Sequence, residues 1–320
     1  MLLKKIKTNY LNKIFEDLVK NDDFSSIIKE LDKLKKDNQE LYNLFLSRIL
    51  NTYFKSDKGQ YFFQNKIIWL NSFELSDATI IRDFLLFYLK KKGNLNIFPT
   101  TYVEALNNLS DKHLNKKINF QELIENSFFY QYEILQSDDS KNKLILNNHV
   151  FFEKLPDKFF THYYLTQCFF YVVRNPIHLY AKYRKNYNQI AALNMISGLD
   201  EEIINENQST HNQVENTTKS WATNVSSWTN QNVMNTFRGL IIKYENLMED
   251  PVQSFAEVIS HLIQSGMEID VDYELIDFYI NENKEKFSGD LEFSEDISNQ
   301  EKKKLSREFG EIIEKFHYKF

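Results

Sequence analysis

"IIWLNSFELSDATIIRDFL", residues 67 to 85, carries the reading of the fold. Its first half is a short apolar run, as in a buried strand, and its second half spaces apolar residues as a helix does. A strand that turns directly into a helix is where a phosphate-cradling loop sits in a chain that has one. This junction has no glycine and no lysine, and Glu74 and Asp77 place two acids ahead of the helical part. Taken by its own charges, it repels a phosphate.

The same alternation continues downstream. Residues 76 to 92 predict a helix, "HVFFEK" at 149 to 154 a second strand, "CFFYVV" at 168 to 173 a third and "GLIIKY" at 239 to 244 a fourth, each followed by helix-like sequence. Near-continuous apolar strands separated by helices predict an α/β fold, a parallel β-sheet flanked by helices on both faces. Ligands bind such sheets at the carboxyl ends of the strands, which directs attention to residues 73–79, 153–156, 174–176 and 244–245.

Upstream, residues 1 to about 60 have helical periodicity, with Ile6, Tyr10, Ile14, Leu18, then Ile27, Leu31, Leu34, then Leu41, Leu44, Phe45 and Ile49 on apolar faces. The expected division is a helical N-terminal extension over 1–62 and an α/β domain over 63–320. The extension reads either as a cap on that domain or as a surface for a protein partner. Residues 200 to 219 are polar and read as a loop or lid; Leu305, Phe309, Ile312, Ile313 and Phe316 form the stripe of a closing helix.

With 320 residues, 42% hydrophobic and 15% aromatic, the chain is large enough to bury a full core. A net charge of −6 argues against a general nucleic-acid binder, although Lys182 to Lys185 and Lys302 to Lys304 are locally basic. The single cysteine, Cys168, excludes an internal disulfide and sits in an apolar run as a small hydrophobe. No stretch approaches eighteen uncharged apolar residues and the first residues lack an apolar leader core, so no membrane span and a soluble, cytoplasmic protein are expected. Zinc-type Cys/His spacing, a Gly-x-Ser-x-Gly elbow and a Gly-Lys-Ser/Thr triplet are all missing, leaving no metal site and no hydrolase or triphosphate signature. Asp270 and Asp272 form an Asp-x-Asp, a pairing that binds metal in glycosyltransferases, but in an acidic stretch outside the strand pattern.

Three stretches then follow in order: "FFYVVRNPIHLYAKY" (169–183), "SWATNVSSWTNQN" (220–232) and "LIIKYENLMEDP" (240–251). A strand ending in Arg-Asn-Pro, a Trp-containing helix and a strand ending in Tyr-Glu-x-Leu before Asp-Pro resemble the cytosolic-type sulfotransferase family. That family uses 3′-phosphoadenosine 5′-phosphosulfate (PAPS) as donor. The opening stretch lines up without gaps on the family's Ser-Tyr-Pro-Lys-Ser-Gly-x-Thr-Trp-Leu-Arg loop, matching at Ser72, Ser76, Thr79 and Arg82. Three of the four prolines, Pro156, Pro176 and Pro251, fall where the family commonly has one. The resemblance covers about residues 65 to 260.

The resemblance implies a P-loop-like, sulfotransferase-like sheet and residue roles. Arg174 would hold the 3′-phosphate of PAPS, with Lys182 standing where the family has a serine for the same phosphate. Ser76 and Thr79, with loop amides, would hold the 5′-phosphate, and Trp221 would touch the adenine. The catalytic histidine of the family falls at Lys154, with His149 and His162 near enough to substitute. The loop lysine is Leu75 here, the loop glycine is Asp77 and a proline is Glu74. "NKEKFSGDLEF", with Lys284, Lys286 and Gly289, is the nearest counterpart of the basic segment that closes over the adenosine.

Other readings stand beside these. Arg174 could pair with an acid such as Glu245, and Trp221 and Trp228, seven residues apart on one helical face, suit a core. The expected function is sulfuryl transfer from PAPS to a hydroxyl or amine, at low activity given the altered loop. The alternative is a catalytically inactive binding module that acts through a protein partner of the N-terminal helices.

Overall fold

The computed structural model describes residues 13–14, 24–37, 41, 45, 66–93, 97–109, 127, 130–131, 134–135, 142–148, 160–161, 165–185, 187–198, 220–287 and 297–318. In chain order these give α1 (Phe24–Asp37), β1 (Lys66–Ser72), α2 (Thr79–Lys91), β2 (Ile97–Thr101), α3 (Tyr102–Leu109) and β3 (Asn142–Asn147). They continue as β4 (Thr166–Val173), α4 (Pro176–Arg184), α5 (Gln189–Ser197), α6 (Trp221–Trp228), α7 (Gln231–Thr236) and β5 (Gly239–Lys243). The last helices are α8 (Tyr244–Glu249), α9 (Pro251–Gln264), α10 (Tyr273–Glu282) and α11 (Asn299–Lys315).

The strands form one sheet in the order β2-β3-β1-β4-β5, and every pairing is parallel. Side chains alternate across a strand, and here the alternation sorts the core into two layers. Ile67, Trp69, Ile145, Phe169, Tyr171 and Val173 face one layer, with Ile177, Leu179, Trp221, Trp228, Leu305 and Phe309 packed on them. Ile68, Leu70, Leu144, Cys168, Phe170 and Val172 face the other, against Phe84, Leu85, Leu247, Phe255, Ile259 and Tyr279. Burial on both faces explains why β4 reads as an unbroken apolar run.

Three boundaries differ from expectation. α2, expected from residue 76, begins at Thr79, because residues 73 to 78 form the turn. The expected strand at 149 to 154 lies outside the described residues; the strand in this part of the sheet is β3, "NKLILN", a few residues earlier. β2, "IFPTT", was not expected at all. It holds Pro99 at one edge of the sheet, the location where a strand tolerates proline.

Ile27, Leu31 and Leu34 of α1, with Leu41 and Phe45, are buried in the same layer as Trp69. The described part of the N-terminal segment is thus a piece of that layer. Ile6, Tyr10, Leu18, Leu44 and Ile49 lie outside the described residues, as does the polar stretch 200 to 219. α11 starts on a capping box between Ser298 and Glu301 and buries Leu305, Phe309, Ile312 and Ile313, as the apolar stripe predicts.

Candidate functional site

β1 delivers the chain to the carboxyl edge of the sheet, where residues 73 to 78 turn it into α2. The Ser76 N–H donates to the Phe73 carbonyl at 3.2 Å, and the Ile80 N–H to the Asp77 carbonyl at 3.1 Å. Leu75 and Asp77 adopt φ of 58° and 59°, the left-handed region that glycine enters freely. Aspartate is one of the few other residues that visits it, and leucine does so at a cost of about 1–2 kcal/mol. The turn therefore keeps the bend of a glycine-bearing loop without its glycine. Ser76 is buried, and its Oγ has no hydrogen-bond partner among the described residues. Thr79 opens α2 with its side chain in solvent.

β4 delivers the second part of the site. Asn175 caps α4, its side-chain oxygen accepting from the Ile177 N–H at 2.9 Å, and Pro176 supplies a first helical position that needs no donor. This turn points the preceding residue, Arg174, back under the loop. Its guanidinium is fully buried, stacks 4.0 Å over the Tyr244 ring and donates through Nη1 to the Asp77 carboxylate. Lys182, on α4, places Nζ 2.8 and 2.7 Å from the two carboxylate oxygens of Asp77.

Arg174 and Lys182, both expected at one phosphate, converge on Asp77, and Ser76 precedes that residue in the turn with its hydroxyl unpartnered among the described residues. Asp77, expected as a repulsive charge at the loop, is instead the partner of both cations. Arg174 pairs with Asp77, while Glu245 Oε1 accepts from the Asn175 N–H at 2.8 Å and lies 3.3 Å from His178 Nδ1. Among the described residues two cations thus meet on the Asp77 carboxylate, which is only 25% exposed.

Beside this cluster runs a polar belt that sequence reasoning missed. Asn147 at the end of β3 donates to Asn71 Oδ1 at 2.9 Å, and Asn71 donates to the Phe170 carbonyl at 3.4 Å. Asn224 of α6 donates to the Asn148 carbonyl at 2.7 Å and accepts from the Tyr171 hydroxyl at 2.8 Å. Asn148 donates to Glu74 Oε1 at 3.3 Å. Burial raises the Glu74 pKa, against the opposing hydrogen bonds of Tyr183 and Asn148. Burial first, and then the Glu74 charge, pushes the Tyr183 hydroxyl pKa up. In a chain this rich in asparagine, no single one stands out in the sequence.

The other expected site residues make different contacts or lie outside the described residues. Trp221 is fully buried, edge-on to Phe309 of α11 at 5.4 Å, within the core layer that α11 covers. Lys154, His149 and His162 lie outside the described residues. Arg82, matched to the family loop, is paired with its neighbour Asp83, and Lys286 joins the same acid at 3.1 Å. Asp270 and Asp272 both hold Lys92, at 3.1 and 2.9 Å, which accounts for the Asp-x-Asp as an ion-pair cluster. Burial pushes the Cys168 thiol up to about 12, where a thiolate nucleophile does not form at neutral pH. Among the described residues no group of three or more His, Cys, Asp or Glu is placed to hold a metal ion. No helix among them is long and apolar enough to cross a membrane. A cavity of about 750 Å³ beside β5, walled by Lys243, Asn246, Glu249 and Glu257 among others, does not include the Arg174 cluster.

No protein-family model matches the chain, and no curated protein matches it. Among solved structures, mouse sulfotransferase SULT7A1 complexed with PAP is similar over 78% of this chain and 84% of its own, with 16% sequence identity and a TM-score of 0.47. The class the geometry itself defines is a doubly wound, all-parallel α/β protein with a cationic cluster at the carboxyl edge of its sheet.

Proposed function

We propose that this chain is a cytoplasmic sulfotransferase-type protein that binds a 3′-phosphoadenosine nucleotide and transfers a sulfuryl group from PAPS to a hydroxyl or amine at a low rate. The observation that carries the reading is the convergence of Arg174 and Lys182 from β4 and α4 onto the turn between β1 and α2. A buried guanidinium fork beside an ammonium suits a phosphate dianion, and the unpartnered Ser76 hydroxyl and the turn's bend suit the second phosphate. The sequence resemblance assigns these same positions to the two phosphates of PAPS. PAPS would supply the sulfuryl group; the residues named here would hold and orient it.

Arg174 and Lys182 anchor, Ser76 donates a hydrogen bond, and a base receives the acceptor's proton. Lys154, His149 and His162 remain the candidates for that base. Leu75, 40% exposed where the family has a lysine, offers no charge to the leaving group. Loss of one such preorganised donor lowers rates by about a hundred- to thousandfold.

A second reading, a binding module without catalysis, is favoured by one observation: the Asp77 carboxylate already engages both cations. The experiment that separates the two is thermal unfolding with 3′-phosphoadenosine 5′-phosphate. At a hundred times the Kd a real site adds about 2.7 kcal/mol, a rise of roughly 4 °C for a chain this long. A saturable rise that Arg174→Ala removes supports the nucleotide reading, followed by transfer assays with labelled PAPS. No rise in the folded protein rejects it.

A further inference from the structure

Asp77 is the least expected member of the cluster. It stands on an oxyanion's partners, carries a negative charge itself, and is held by one buried and one rim-side cation. We propose that Asp77 is a resident anion that gates the Arg174–Lys182 site: its carboxylate fills the site in the free protein, and an incoming oxyanion enters by displacing it. This rests on reading the cluster as an anion site and adds how access to that site is controlled.

Four observations support displacement over a permanent lock. The Asp77 side chain is 25% exposed and Lys182 27% exposed, so carboxylate and ammonium both reach solvent, while Arg174 at 0% is fixed beneath them. The turn that carries Asp77 has two non-glycine residues at positive φ, a strained arrangement that persists only while surrounding contacts hold it. Releasing the carboxylate lets that strain relax. Leu75, on the same turn, projects into solvent and adds no core anchor. Lastly, Ser76, the residue before Asp77 in the turn, buries an Oγ that lacks a partner among the described residues, so the turn itself leaves a hydrogen-bonding group unmet.

Among the described residues, the contact gives the buried guanidinium a counter-ion carried by the fold itself. A ligand must compete with a tethered carboxylate whose effective concentration is high. Removing that competitor should tighten binding of any small oxyanion, whatever the nucleotide.

The probe is inorganic sulfate, titrated into the full chain in chloride buffer and followed by calorimetry and thermal unfolding. Asp77→Asn and Asp77→Gly should each bind sulfate at least tenfold more tightly than the natural protein, and Asp77→Asn/Arg174→Met should lose the gain. Equal affinity in the natural protein and both variants overturns the gate, as does a gain that survives loss of Arg174. Asp77→Gly suits the positive φ and keeps the test open if Asp77→Asn does not fold. Variants that fold in sulfate but not in chloride support the gate; variants that fold in neither show Asp77 to be a permanent counter-ion and overturn it.

Failure of the nucleotide reading looks different. If 3′-phosphoadenosine 5′-phosphate binds Asp77→Gly no better than sulfate while the sulfate gain persists, the nucleotide reading fails and the gate stands. If the nucleotide binds the natural protein as tightly as Asp77→Gly, the gate fails and the nucleotide reading stands.

Discussion

The Asp77–Arg174 contact makes an asymmetric prediction about stability. Asp77→Asn takes a carboxylate partner away from a guanidinium at 0% exposure, where water does not replace it. Such losses cost about 3–5 kcal/mol when both partners are buried. Because Asp77 is 25% exposed, the lower end applies, about 3 kcal/mol. Arg174→Met removes the buried charge itself, keeps most of the volume, and leaves Asp77 with Lys182. It loses the stacking on Tyr244, an interaction worth about 1–2 kcal/mol when desolvated. The double variant should therefore be no worse than Asp77→Asn alone, with a coupling of at least about 1 kcal/mol. Urea unfolding in chloride buffer measures all four proteins, and with a slope near 3 kcal/mol per M the Asp77→Asn midpoint should fall by about 1 M. Lys182→Met, whose pair is partly hydrated, serves as reference at about 1 kcal/mol or less. If Asp77→Asn costs no more than Lys182→Met, or if the two main substitutions simply add, the buried charge is not balanced by Asp77 and the reasoning fails.

Glu74 gives a pH test: burial raises its folded pKa above the unfolded value, so the folded state binds the extra proton and stability falls as pH rises from the ordinary glutamate range through the folded pKa. Glu74→Gln keeps an oxygen for Asn148 and removes that slope, so it should gain on the natural protein between pH 4 and pH 7; urea unfolding showing it losing ground over that range would contradict the assignment. Gly239→Ala should destabilise by about 1–3 kcal/mol, because an added Cβ overlaps the Phe169 ring and the Met234 sulfur; a thermal midpoint equal to the natural protein's would show that β5 shifts freely. Leu75→Lys returns a cation to the turn at an exposed position and should raise transfer from labelled PAPS by about two orders of magnitude, while an unchanged rate would place the leaving group elsewhere.

The strands that the sequence revealed are the two central ones and β5 at one edge, whose "LII" run was apolar enough to show. β1 and β4 are central, and their continuous apolar runs could hardly be anything else. β3 was not read from the sequence because "NKLILN" is short, with only three apolar residues between polar ends. β2 escaped because Pro99 argues against a strand unless the edge position is known, and that position is set by pairing to β3. In the candidate site, the nearness of Arg174 and Lys182 was legible from Arg174 at a strand end and Lys182 on the helix that follows. The carboxylate of Asp77 was legible as a repulsive charge but not as a partner, since the sequence shows its sign and not its reach across to β4 and α4.

The sorting of alternate residues onto two faces gives the protein an uneven optical signature. All three tryptophans, Trp69, Trp221 and Trp228, lie in the layer shared with α1 and α11. The opposite layer, with Phe84, Phe255 and Tyr279, contains none. Intrinsic fluorescence therefore watches one side of the sheet, while far-ultraviolet circular dichroism watches the helices of both. Coincident transitions would mean that β1 and β4, which contribute side chains to both layers, couple them into one melting unit; an earlier fluorescence transition would mean that the tryptophan side loosens while the other still holds.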